Sequence, residues 1–343
     1  MAYTTIDKPQ DYFNTLLYSG DGSSSSARTG VGFQPDWLWF KVRNSTGTHA
    51  VFDVVRGTNG TVYRRLLPQD SGAEDTAAGT VLSIDSDGFT LGNDANINQS
   101  GETYVSWHWL AQNGTSANSD GSISSTVSVN QTAGFSIVGW THDGGNSTIG
   151  HGLGAAPQVV ITKERNNTGS WNCFFNTVGN GFRMILQGTN AKTSTSLWNS
   201  TSPTSTVFSM NDSITSTMIA YCFAEKQGYS KFGGYKGNGS SDGTYVYTGF
   251  KPALIMTKRY DSSTGGSWQM YDNKRIGYNV DNYQMKADKT NAEDTSVGLD
   301  ILSNGFKMRN SGNSYSTSGG DYLYMAFAEN PFVSSTGIPG TAR

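Results

Sequence analysis

The sequence is poor in cysteine, histidine and charge, and each shortage closes off a class of function. Two cysteines, Cys173 and Cys222, are too few for a disulfide framework. Among the four histidines, His142 and His151 flank a glycine-rich loop, but no third or fourth ligand is spaced with them, so no metal site is read. Charged residues make up 15% and the net charge is −3, which leaves no electrostatic footprint for nucleic acid or an anionic membrane. No apolar run approaches the roughly 18 residues of a membrane-spanning helix, so membrane insertion is not expected. A nucleophile elbow, a P-loop lysine and EF-hand ligand spacing are all missing, and no enzyme and no cofactor are expected. The opening Met1-Ala-Tyr-Thr-Thr carries no signal pattern, so the expectation is a chain made without secretion. Triplets such as Asn44-Ser-Thr then read as polar loops, not glycan sites. No apolar period of 3.6 residues and no heptad is sustained. At most one short helix is expected, within Asp281 to Asp294.

Glycine and aromatic residues are abundant instead: 42 Gly, 8 Trp, 17 Tyr and 16 Phe. Turn-forming glycine between aromatic, strand-like clusters argues for many short strands rather than disorder. One pattern is written three times. The first copy reads Tyr18-Ser-Gly-Asp-Gly22, then Gly32-Phe-Gln-Pro35, then an apolar run ending in Lys41. The second reads Gly144-Gly-Asn146, Gly154-Ala-Ala-Pro157 and a run ending in Lys163. The third reads Tyr235-Lys-Gly-Asn-Gly239, Gly249-Phe-Lys-Pro252 and a run ending in Lys258. Each run, bounded by Pro and apolar throughout, reads as a strand buried on both faces. The recurring lysines are expected to snorkel or to pair with a carboxylate at a strand end.

Each copy closes on an aromatic-rich strand ending in Ala111, Ala224 or Ala328. Counted back from that alanine, Leu110, Phe223 and Phe327 share one face with His108, Tyr221 and Met325. Trp109, Cys222 and Ala326 share the other with Trp107, Ala220 and Tyr324. Both faces are apolar, which predicts packing on two sides, against a second layer and against a neighbouring domain or subunit. The first and third copies carry a hairpin signal, Asp85-Ser-Asp-Gly-Phe89 and Leu302-Ser-Asn-Gly-Phe306. The second has only Val207-Phe-Ser-Met210 there, and its Pro-to-Ala spacing is shorter.

A repeat of about 100 residues is long enough for its own core. The fold class expected is all-β, with three tandem β-sandwich domains of jelly-roll or concanavalin-like layering. The modules are residues 1–112, 134–227 and 228–332. Residues 113–133 form a Ser/Asn-rich linker or edge strand, and residues 333–343 a C-terminal tail. Recurrence also filters the candidate chemistry. His108 sits in a packing position. Asp53, Asp85 and Asp87 return as Asp272, Leu302 and Asn304, which marks turn work rather than an acid pair for glycoside cleavage. Glu225 and Glu329 both follow the closing alanine. The remaining candidates are aromatic. Trp171 and Trp268 follow a Gly-Ser turn where the first copy has His49, and Trp140 and Trp198 occur only in the second copy. All four are candidate glycan-stacking residues, since an indole face suits C–H/π contact with a sugar. By this reasoning the middle copy is the first place to look for specificity.

The segments Tyr12 to Gly22 with Gly30 to Asp36, Ala220 to Glu225 with Gly237 to Ser240 and Thr248 to Pro252, and Tyr324 to Phe332 resemble repeat modules of bacteriophage virion proteins, especially those of marine and cyanobacterial phages. The resemblance covers nearly the whole chain. It implies a lectin-like sandwich and a virion structural protein, a tail-fibre or tail-associated adhesion subunit assembled in the host cytoplasm. A capsid decoration protein, a glycan-binding module and a glycan-degrading tailspike are the alternatives. Partners implied are other virion proteins, host surface glycan, and further copies of the chain in a homotrimer.

Overall fold

The computed structural model describes residues 4–275, 279, 283–295 and 298–332. The tail, residues 333–343, lies outside them. Over the described residues the chain is all-β, with five sheets of four, eight, five, three and three strands, none closed into a barrel. Its helical turns among the described residues are a 3-10 turn, Pro9–Asp11, and an α-helical turn, Ala95–Asn98, capped by the Asp94 side chain. The helix expected within Asp281 to Asp294 does not form over the described residues 283–294. Met285–Lys286 pairs there as a short strand with Gln269 and Met270, and Gln284 bridges to Asp294.

Every copy builds the same principal sheet. The closing strand lies between an opening strand and the lysine strand, and a fourth strand follows outside the lysine strand. In the first copy these are Thr103–Trp109, Phe13–Ser19, Trp37–Val42 and Ala50–Asp53. In the second they are Val207–Phe223, Phe135–Gly150, Val159–Glu164 and Asn172–Phe175. In the third they are Asp321–Pro331, Ser230–Lys236, Phe250–Arg259 and Gln269–Asp272.

One face of each principal sheet packs within its own copy. In the first and third copies a separate three-stranded sheet covers it, built around the two glycine hairpins Val81–Leu91 and Leu299–Met308. The hairpin glycines also serve close approach. A Cβ on Gly88 would lie 1.9 Å from the Arg28 carbonyl oxygen, and one on Gly305 2.0 Å from that of Val246. The second copy has no such sheet. Its opening and closing strands run on for 16 and 17 residues, with a bulge between Asp143 and Gly145. The long two-stranded ribbon they form folds over itself and brings Trp140 edge-on to Phe208 at 5.6 Å. Residues 113–132 contribute Ser116–Asn118 and Ser125–Asn130 to one edge of this sheet.

The other face of all three sheets meets in one shared core. Trp37 stacks on Tyr221 at 4.4 Å, while Phe327 of the third copy touches Trp109 at 5.6 Å and Phe223 at 5.7 Å. The apolar faces that suggested a neighbouring subunit are therefore met by the other copies of the same chain. Tyr229, in the short junction between the second and third copies, is itself part of this core.

The strand register corrects the alignment of the first copy. Trp37, Val159 and Leu254 each stand two residues after the Pro, and they pair with Trp109, Phe223 and Phe327. The equivalent of Ala224 and Ala328 is thus Leu110, not Ala111. The amides of these three donate to the carbonyls of Tyr12, Gly134 and Tyr229. A one-residue offset exchanges the faces of a strand. Trp109 and Trp107 therefore face the shared core, and His108 faces inward with Cys222 and Ala326.

The copies close into a ring through three related junctions. The side chain at one position reaches across each time. Trp171 Nε1 donates to the carbonyls of Leu67 and Asp70, Trp268 Nε1 to that of Ile185, and His49 Nε2 lies 3.0 Å from that of Lys286. Trp39 Nε1 donates to His49 Nδ1, so His49 Nε2 carries the proton and is the donor. Burial holds the His49 pKa down, to about 3, and the imidazole stays neutral. The second copy thus leans on the first, the third on the second, and the first on the third.

The chemistry of the three junctions differs. Trp107 Nε1 donates to Asp272 at 3.1 Å and Tyr221 Oη to Asp53 at 2.7 Å. Each aspartate also holds an arginine three residues on, Arg275 at 2.6 Å and Arg56 at 2.5 Å, all with fully buried side chains. At the corresponding positions of the remaining junction stand Met325, Phe175 and Val178, all in the shared core. A second set covaries. Arg43 pairs with Glu293 at 3.0 Å and Arg165 with Glu74 at 2.9 Å, whereas the third pair is Tyr260 with Lys192 Nζ, 5.3 Å from the ring centroid.

A small cavity remains where the first copy meets the third. The opening-strand position opposite Trp107, Tyr221 and Met325 is Thr15, Ile137 and Phe232 in turn. Beside Thr15 lies a cavity of about 40 Å³ that Asn273 also lines, and neither Thr15 Oγ1 nor Asn273 Oδ1 has a hydrogen-bond partner among the described residues. Thr15→Ile, which copies Ile137, removes one orphaned hydroxyl and fills space, and about 1 kcal/mol of stabilisation is expected. A rise in thermal midpoint checks it; a fall would mean that the cavity cannot take the added methylene.

The recurring lysines do not snorkel. Lys41, Lys163 and Lys258 are all buried, and their ammonium groups donate to main-chain carbonyls: those of Val42, of Glu164, and of Gly188 and Gly266. Burial lowers each pKa to about 8.

Candidate ligand groove between the second and third copies

The four candidate tryptophans are not a sugar platform. Trp140, Trp171, Trp198 and Trp268 are 5%, 1%, 2% and 1% exposed, so no indole face is open to a ligand. Trp140 and Trp198 fill the inner core of the second copy, and Trp171 and Trp268 are the junction residues described above. Large rings were placed inside because the sheets have two buried faces, a fact that residue type alone does not carry.

The other polar candidates also have structural partners. His142 and His151 are buried, each with Nε2 against a carbonyl oxygen, of Asp212 and Thr204. His108 is buried, and desolvation lowers its pKa to about 3. Asp87 accepts the amides of Gly30 and Gly32, and Asp85 the hydroxyl of Thr90. Asp21 caps its own turn by accepting Ser23 N–H and Ser26 O–H. Glu329 pairs with Lys251 at 2.6 Å. Both cysteines are free and buried, and burial pushes their thiols up. Among the described residues no group of three or more His, Cys, Asp or Glu is placed to hold a metal ion.

The exposed large apolar side chains among the described residues are Tyr245 and Tyr247, at 43% and 50%. They lie on Tyr245–Tyr247, the edge strand of the small sheet of the third copy. Alternation puts Val246 inside and both phenol rings outside. The positions that pair alike in the first copy are Ala27 and Thr29, so the aromatic pair belongs to the third copy alone. Its signal in the sequence is the alternation Thr244-Tyr-Val-Tyr-Thr248, aromatic on the polar phase of a short strand.

Tyr247 borders a groove of about 680 Å³ where the second copy meets the third, lined also by Gln158, Glu225, Gln227, Gly228, Ser230, Lys231 and Thr248. Fold contacts hold its walls. Gln158 Oε1 accepts the Glu225 amide at 2.6 Å, Ser230 Oγ accepts that of Lys226 at 3.0 Å, and Thr248 Oγ1 donates to the Phe250 carbonyl at 2.7 Å. Lys231 Nζ lies over the Tyr247 ring, 5.6 Å from its centroid. The groove thus offers one aromatic face, one carboxylate, one ammonium, and amide and hydroxyl groups of both hydrogen-bonding senses.

One family profile matches residues 8–331. The chain belongs to that family, described as a domain of unknown function, DUF7483. The matched span takes in all three copies, so the DUF7483 unit is the whole ring rather than a single repeat. No curated protein and no solved structure matches the chain.

Proposed function

We propose that this DUF7483 chain is a structural protein of a virus particle that displays a rigid surface for attachment, as a tail-fibre or tail-associated adhesion subunit. In this reading it consists of three tandem β-sandwich domains with lectin-like layering, fused through their second faces, and it is not an enzyme. The observation that carries the reading is the shared core. Every recurring apolar face is spent inside one body, which leaves turns, edges and the tyrosine-bordered groove for contact with the outside. A body of this kind resists local unfolding, because opening any one copy exposes aromatic surface of all three. The repeated sequence then serves construction. Contact with the host falls to surface features that differ among the copies, and several chains on one particle add avidity.

The same closure favours a second reading. A compact body with three-fold-related parts suits a three-fold point of a protein lattice, as a capsid decoration protein would need. Locating the chain on purified particles and counting it separates the two. About a dozen copies confined to the tail sustains the adhesion reading, and hundreds spread over the head sustains decoration. Host polysaccharide incubated with the chain should yield no new reducing or unsaturated ends; their appearance would restore the tailspike alternative.

A further inference from the structure

We propose that the groove bordered by Tyr247 binds a neutral, hexose-type glycan. The inference deepens the adhesion reading and rests on it for its biological meaning, but the binding itself stands on the geometry of the groove. Tyr247 is half exposed, on an edge strand where the solvent-facing position elsewhere is small or polar. An exposed phenol ring beside polar groups is suited to one face of a pyranose, whose axial C–H groups stack while its hydroxyls spread sideways. The side groups here are of the right kinds. Glu225 and the Gln227 side-chain carbonyl can accept from hydroxyls, and Lys231 and the Gln227 amide nitrogen can donate to them. A volume of about 680 Å³ is in the range of small-molecule sites.

Charge decides between sugar classes. Glu225 and Lys231 balance within the groove, and the chain as a whole carries −3. An acidic sugar would meet Glu225 with no net positive field to offset the repulsion, whereas a neutral one meets both charges as hydrogen-bonding groups. Lys231 already spends one side of its ammonium on the Tyr247 ring, so ring and cation are positioned together before any ligand arrives.

The test is saturation-transfer and chemical-shift titration of the full chain with a panel of neutral hexose disaccharides and their uronic-acid counterparts. Millimolar binding of at least one neutral disaccharide is expected, as a single stacked site predicts. Tyr247→Ala should weaken it at least tenfold and Tyr247→Phe should retain it, both with unchanged thermal midpoints because the ring lies outside the core. Glu225→Gln should bring the uronic acids into the binding range. Absence of saturable binding by every neutral sugar, or equal binding by Tyr247→Ala, overturns the proposal. Particles carrying Tyr247→Ala separate it from the adhesion reading. Normal adsorption by these, with adsorption lost when the chain is deleted, leaves adhesion standing without the groove. Sugar binding by the chain, with adsorption unaffected by its deletion, leaves the groove without adhesion.

Discussion

Asp53→Ala is expected to lower the stability of the chain by about 3–5 kcal/mol, because it leaves the buried guanidinium of Arg56 without its main counter-charge. Asp53 also accepts the Tyr221 hydroxyl and the Arg56 amide, so three donors lose an acceptor together. Relief from Glu74 is slight, since its carboxylate stands 4.0 Å from Arg56. The chain itself contains the remedy. Where the first copy has Asp53 and Arg56 and the second has Tyr221, the junction between the second and third copies has Phe175, Val178 and Met325. The triple change Asp53→Phe, Arg56→Val, Tyr221→Met transplants that apolar set. It should recover most of the loss, because residues acting as one buried unit are not additive. Chemical denaturation of both variants reads the difference. A triple variant as unstable as Asp53→Ala would mean that the junctions are alike in outline but not in packing.

Stability should also rise as pH increases from about 8 to 9, against the usual alkaline loss. Lys41, Lys163 and Lys258 each have a folded-state pKa lowered to about 8 from the ordinary lysine value of 10.5, with burial as the leading cause. In this window the folded chain has begun to release these protons and the unfolded chain still holds them. The unfolded state therefore binds more protons, and the unfolding free energy increases with pH. Each lysine contributes at most about 1.4 kcal/mol per pH unit, so the three together give an effect on the order of a few kcal/mol. Above about pH 9 the two buried thiols work in the opposite direction. Their pKa values are raised, so unfolding releases protons there, and the two thiols offset part of the gain from the three lysines. Thermal midpoints at pH 7, 8 and 9 measure the rise. The combined variant Lys41→Met, Lys163→Met, Lys258→Met should flatten it, and an unflattened profile would assign the effect to other groups.

Much of the strand framework was legible in the residues. Pro-bounded apolar runs such as Trp37 to Val42 read as strands buried on both faces, and they are. The hairpins before Phe89 and Phe306 were announced by Asp-Gly and Asn-Gly, and the short spacing of the second copy announced a missing element there. The replacement was not legible. That Phe208 and Met210 would be folded back onto Trp140 by a bent two-stranded ribbon depends on a bulge at Gly144 and Gly145, both at positive φ, where the glycine pair reads equally well as a turn. The offset in the first copy escaped for a related reason. Both Ala111 and Leu110 can end an apolar strand, and only pairing of Trp109 with Trp37 chooses between them. The burial of the lysines is not legible in the sequence, because a charged side chain at a strand end ordinarily reaches water. Here neighbouring copies cover it and main-chain carbonyls accept its protons. The burial of the tryptophans and the exposure of Tyr245 and Tyr247 are hidden from the sequence for the same cause. Exposure belongs to the assembled body, and tryptophan and tyrosine in a polar sequence look equally available.

The sequence by itself determined that this is an all-β chain written three times, with short strands, glycine turns, two apolar faces per principal sheet and a shortened middle copy. These follow from local rules of backbone sterics and alternation, which act over a few residues. Tertiary structure alone decided what covers the second face. Trp109, Phe223 and Phe327 could have met a second chain, a ligand or one another, since apolar burial has no direction. Closure of the ring made them meet one another. It buried the candidate tryptophans and left the third copy, not the second, with open aromatic rings beside a polar groove.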